Sequence, residues 1–147
     1  MKKGFTLIEL LVVIAIIGLL STLAVVALGN ARLKARDAKR LSDLKQVQTA
    51  LELYYTDAST YPSGTGKLGE DTNFICLDGV SPGFHAAGAC ATGAFMNAIP
   101  KDPGSFHYLY TSASSSSSYT VDATLEGSVG DLNGSIRLTP AGIANNH

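Results

Sequence analysis

Glu9 is the ionisable residue in the least expected place, the only charged side chain in an apolar run from Phe5 to Leu28. A carboxylate inside such a run costs free energy wherever the run meets lipid, so it marks either a functional group or an acid near the membrane interface. The other residues able to do chemistry are scattered. His85, His107 and His147 fall in a loop, an expected strand and the terminus, away from any G-x-S-x-G, H-E-x-x-H or phosphate-loop pattern. Asp102 and Asp122 could form a carboxylate pair, but a turn and a strand position explain them, and no enzyme site is expected. Asp131, Asn133 and Ser135 alternate like the oxygens of a calcium loop. They lack the acid eleven positions on, where Gly142 stands, so a plain Asn-Gly turn is the stronger reading and calcium is the only cofactor to consider. Asn133-Gly134-Ser135 also fits a glycosylation sequon. Cys76 and Cys90 are an even pair that reads as one disulfide if the domain is exported. A zinc site recruiting His85 would need a spacing that matches no usual pattern.

These residues must be held by elements that hydrophobic periodicity makes visible. As a helix, Phe5 to Leu28 would measure ~36 Å, enough to cross a bilayer core of ~30 Å. Gly29-Asn30 could cap it, yet Ala31 to Tyr55 has no proline or further glycine, and good helix formers fill it. Leu33, Leu41, Leu44, Val47, Leu51 and Tyr54/Tyr55 recur on one helix face. One long helix from Phe5 to about Tyr55 is expected, apolar all round at first and striped later. The basic cluster Arg32–Arg40 reads as a solvated face near lipid headgroups. Tyr61-Pro62-Ser63-Gly64 breaks the pattern. Residues 63–99 read as irregular, with strands expected over 106–110, 119–126 and 135–139 and a turn at 131–134. Gly18 is open to two readings, close helix packing or a place where the helix loosens.

The 147 residues suit one domain whose hydrophobic content is concentrated at the start, leaving a small core for the rest. Net charge is −1, but residues 1–45 carry eight bases and three acids, and the remainder three and nine. A basic stem and an acidic head can attract each other between subunits. This balance gives no reason for a nucleic-acid role. Counted alone, five bases after the apolar run against two before it would keep the head in the cytoplasm.

Lys2-Lys3-Gly4-Phe5-Thr6, Glu9 and the apolar tract behind them closely resemble the prepilin signal of type IV pilins and type II secretion pseudopilins. The resemblance extends to Tyr54-Tyr55 before Tyr61-Pro62, and to Pro100-Lys101-Asp102-Pro103, which is similar to a loop of major pseudopilins without its usual tryptophan. It implies an α+β, pilin-like fold: a long N-terminal helix, its first half transmembrane, packed on a small antiparallel sheet. It divides the chain into a leader (1–4), a membrane or filament-core helix (5–29), an amphipathic helix (30–60) and a disulfide-tied head (61–147). It implies cleavage after Gly4, N-methylation of Phe5 and an assembly role for Glu9, which would neutralise the new amine of a neighbouring subunit. The partners implied are further copies of the chain, a prepilin peptidase, assembly machinery and, before assembly, membrane lipid. The head would lie outside the inner membrane, against the charge count, and then in an extracellular or periplasmic filament. The expected function is a structural subunit of a type IV pilus-like filament, with a type II secretion major pseudopilin as alternative. An uncleaved membrane-anchored binding protein is the alternative of another class.

Overall fold

The computed structural model describes residues 4–146. Its spine is a single helix, α1 (Leu7–Ala58), 52 residues long and uninterrupted through Gly29 and Asn30. Thr6 caps its start with extended backbone, and Ser59 ends it in the left-handed region, with φ 58° and its N–H on the Tyr55 carbonyl. The helix thus runs a few residues beyond the expected Tyr55, because the Tyr61-Pro62 break acts only after a full terminal turn.

Seven strands follow: β1 (Gly64–Lys67), β2 (Cys76–Leu77), β3 (Phe84–His85), β4 (Leu109–Ser112), β5 (Thr120–Val129), β6 (Leu132–Thr139) and β7 (Gly142–Asn145). Five form one antiparallel sheet in the order β1-β4-β5-β6-β7, and β2 with β3 makes a small separate hairpin. The fold is therefore α+β and pilin-like, a long N-terminal helix against a small antiparallel sheet.

Three local expectations are corrected. The 63–99 stretch is not wholly irregular, since Gly64–Lys67 pairs with β4 as an edge strand. The strand expected over 135–139 does end at Thr139, but it begins earlier, at Leu132, and turns through Pro140-Ala141 into a further strand, β7. The hairpin turn falls at Gly130-Asp131 and not at 131–134: Val129 pairs with Leu132, and Gly130 (φ 60°) takes the loop position that needs a positive φ.

Alternation decides which face of the sheet meets α1. Val121, Ala123 and Leu125 point inward along β5, with Tyr119 just before it, joined by Ile136 and Leu138 of β6 and by Tyr108 and Tyr110 beside them. They close on Leu44, Val47, Ala50, Leu51 and Tyr54 of the helix, giving one core. Aromatic contacts extend it sideways: Tyr61 lies edge-on to Tyr119, and Phe84 edge-on to Tyr110. The Cys76–Cys90 disulfide, with Cα atoms 6.2 Å apart, ties the long connection that covers this end.

Candidate functional site

Three clusters carry the polar chemistry. The first is the N-terminal signal. Gly4 and Phe5 precede the helix, and Phe5 is 85% exposed. Thr6 and Glu9 form a reciprocal capping box: the Glu9 N–H donates to Thr6 Oγ1 (3.3 Å), while the Thr6 N–H and hydroxyl donate to Glu9 Oε2 (2.8 and 2.6 Å). Two backbone donors that the helix start would leave bare are thereby satisfied. This role of Glu9 is legible in the sequence as Thr-x-x-Glu before an apolar run. Lys2 and Lys3 lie outside the described residues.

From Leu7 to Leu28 every helix residue is exposed, and α1 is the one helix among the described residues long and apolar enough to cross a membrane. Gly18 has open space where a side chain would stand, so nothing among the described residues demands glycine there.

The second cluster sits where the stem meets the sheet. Between Thr124 and Ser128 the β5–β6 register shifts, so the bulging strand turns two N–H groups away from the ladder. Asp37 takes both, accepting from Glu126 N–H (2.9 Å) and Gly127 N–H (2.8 Å). A Cβ on Gly127 would stand 2.8 Å from the Leu33 Cδ2 methyl, so a larger residue there would have to displace that side chain. Arg40, one turn on and fully buried, donates to Asp37 (2.7 Å) and makes a forked contact with Asp102 (2.6 and 3.0 Å). It also pairs with Glu126 (2.8 Å), and Arg36 grips that same carboxylate. Phe106 stacks on the Arg40 guanidinium at 5.4 Å.

The electrostatics follow from this geometry. Bonds from Arg36 and then Arg40 hold Glu126 down at about 2. Burial alone would raise Asp102, but the Arg40 fork and the Gly104 N–H outweigh it and keep it below the usual range. Hydrogen bonding to Asp102, ahead of its other carboxylate partners, drives Arg40 far above its ordinary value, against burial. One step further along the helix, burial pushes Asp43 up, opposed by the Tyr108 hydroxyl at 3.1 Å.

The solvated-face expectation for Arg32–Arg40 is therefore corrected for part of the cluster. Arg40 and Asp37 are core residues, whereas Arg32, Lys34 and Lys39 are exposed. Asp102 and Asp122 do not meet: the first pairs with Arg40, and the second with Arg137 across β5 and β6 (2.6 Å). The sequence signal for the clamp was the Asp37–Arg40 spacing of three, which puts both on one helix face. Their partners, Asp102 and Glu126, arrive from far along the chain.

The third cluster is the cysteine loop. Both thiols are consumed in the disulfide, which removes the zinc alternative with His85. Buried Asp78 pins the loop by accepting the N–H groups of Val80 (2.8 Å) and Ala91 (2.7 Å), and His85 Nε2 lies 3.1 Å from it. His107 joins none of these contacts among the described residues, and His147 lies outside them. Of the calcium candidates, Asp131 is at the hairpin tip, and Asn133 and Ser135 lie on β6 on either side of Gly134, at the register shift. The Asn145 side chain bridges the Asp131 carbonyl (3.0 Å) and the Asn133 N–H (3.0 Å), and Ser135 accepts from Asn146. No group of three or more His, Cys, Asp or Glu side chains suited to a metal occurs among the described residues.

A helix with one half bare and apolar and the other half serving as the spine of a sheet defines the class of pilin-like proteins. Sequence comparison is consistent with that class at both ends of the chain. Residues 1–25 match the prokaryotic N-terminal methylation motif, and residues 27–137 match the family described as type II secretion system (T2SS), protein G. The chain belongs to that protein G family. It is 34% identical to the type II secretion system core protein G of Klebsiella pneumoniae over 73% of this chain and 72% of that protein. It is 42% identical to the Pectobacterium carotovorum protein of the same description, over 42% of this chain and only 40% of that relative's length. It is also 33% identical to the type IV major fimbrial protein FimA of Dichelobacter nodosus, over 71% of this chain and 58% of that protein. No solved structure matches it. The pseudopilin alternative is thus better matched than the pilus reading.

Proposed function

We propose that the chain is the major structural subunit of a type II secretion pseudopilus, a periplasmic filament built by stacking α1 of many copies. The observation that carries this reading is the asymmetry of α1. Its exposed apolar half is rigidly continuous with the spine of the head, so whatever buries that half also sets the position of the head. Lipid buries it first, with the head outside the inner membrane; neighbouring helices bury it afterwards.

Processing prepares the exchange. A prepilin peptidase cuts the exposed Gly4–Phe5 bond, and the amine released at Phe5 is methylated. In an apolar filament core that amine needs a counter-charge. Glu9 supplies it to an incoming subunit and so sets the axial stagger. In the free chain its carboxylate is tied to Thr6, so pairing with a neighbour exchanges a local capping bond for an ionic one.

Mass spectrometry of the mature protein tests processing: loss of Met1–Gly4 and gain of one methyl group are expected. An intact N-terminus would favour an uncleaved anchored protein. For Glu9→Leu, cleavage and membrane insertion should persist while filaments become scarce; an unchanged ratio of sheared filament to membrane subunit would remove Glu9 from assembly. The FimA relative keeps a surface pilus as the second reading, and long filaments on sheared cell surfaces would favour it.

A further inference from the structure

The basic stem contains two populations that sequence alone does not separate. Arg36 and Arg40 are spent on Glu126, Asp102 and Asp37. Arg32 and Lys34 are exposed and make no ion pair among the described residues. They stand about 6 and 9 Å beyond Leu28 along the axis, at 1.5 Å per residue. Side chains on a helix lean toward its N-terminus, which here is back toward the apolar run. Both cations therefore reach the level where a bilayer's hydrocarbon gives way to headgroups, a zone several ångströms deep on each side. Their long stems allow the charged ends to sit in that zone while the methylenes lie along the apolar surface.

Their placement around the axis identifies the partner. At roughly 100° per residue, Arg32 and Lys34 lie about 200° apart, one on each side of the face that Leu33, Asp37 and Arg40 turn toward the head. A single protein surface docking on the stem would meet one of them and miss the other. Lipid headgroups surround an emerging helix and meet both. We propose that Arg32 and Lys34 form a collar that recruits anionic lipid phosphates around α1 where it leaves the membrane. Lys39, about 16 Å beyond Leu28, is at the margin of this zone, and Lys45, about 26 Å out, is beyond it.

The collar also accounts for the conflict with the positive-inside pattern. Bases following a membrane span hinder export, so a stem that keeps them on the outer side must use them there. The proposal rests on the membrane-anchored state described above, and the experiment separates the two failures. The chain has no tryptophan, so Leu28→Trp places a single reporter at the exit of the span. The full chain is reconstituted in equimolar phosphatidylcholine and phosphatidylglycerol, with brominated acyl chains on one lipid or the other, and quenching gives the local lipid ratio.

Several-fold enrichment of phosphatidylglycerol is expected, at most roughly five-fold per basic residue, falling at high salt. Arg32→Gln/Lys34→Gln should bring the ratio close to one, while Lys45→Gln leaves it unchanged. Equal quenching by both lipids in the parent chain, or enrichment that survives the double substitution, would overturn the collar. A chain that does not float with vesicles would overturn the membrane-anchored state as well. If the double substitution weakens subunit cross-linking and leaves lipid selectivity untouched, the bases belong to a contact between copies.

Discussion

The two halves of α1 share a backbone geometry and differ in everything that surrounds it. From Leu7 to Leu28 apolar side chains are exposed on all sides; from Leu33 to Tyr54 one stripe is buried and the rest is wet. The first half has capping but no packing partner among the described residues. The second has both a partner and a polar clamp, centred on Arg40, that fixes how helix and sheet meet. Helical periodicity alone does not stabilise a fold: a helix is stable where something covers its apolar face, and here two different environments must do so.

The clamp is where the contrast is easiest to break. Arg40→Ala would leave Asp37 and Asp102 buried without their cation, at a cost of about 3–5 kcal/mol. Chemical denaturation of the detergent-solubilised chain should show a much weakened head, while membrane insertion through residues 7–28 is unchanged. A head of parental stability would mean the clamp is dispensable.

Next in size is the disulfide, which acts only on the head. Cys76→Ser with Cys90→Ser should cost ~3 kcal/mol, the value for a loop of about 15 residues. Reductant should lower the parent's denaturation midpoint and leave the double variant's unmoved.

Acid gives a smaller, graded effect. Glu126 has a folded value of about 2 against an ordinary 4.5, so its contribution is complete above 4.5 and is lost as pH falls toward 2. Asp102 is shifted the same way and adds to the loss, whereas Asp43 is raised, so burial of its charge penalises the fold at neutral pH and that penalty lifts in acid. Melting temperature measured across this window should fall less steeply for Glu126→Gln than for the parent. Parallel curves would argue against the Arg36–Glu126–Arg40 contact.

The smallest effect sharpens the comparison from the other side. Leu19→Ala removes an exposed side chain from the bare half and should leave head stability within about 0.5 kcal/mol, as for surface substitutions elsewhere. Leu51→Ala, fully buried in the second half, should cost about 2–5 kcal/mol. Equal losses would mean that the first half packs on the head after all.

Sequence by itself determined the elements whose signals are local. The uninterrupted helix follows from its formers and from the Leu44, Val47, Leu51, Tyr54 stripe; β5 follows from strict alternation; the disulfide follows from having only two cysteines to pair. The Thr6–Glu9 cap is equally local and was open to the same reading. The tertiary structure decided what depends on distant segments meeting. Arg40 looks like its neighbours Lys39 and Arg36 until Asp102 and the bulge at Glu126-Gly127 arrive from 62 to 90 residues away. The bulge is a register shift between two strands; Gly127 within β5 is a local hint of it, but the pairing with β6 decides where it falls. The edge strand Gly64–Lys67 carries almost no hydrophobic signal and exists because β4 offers it a ladder. A charge is solvated or buried according to what folds over it, and that is a property of contacts separated by most of the chain.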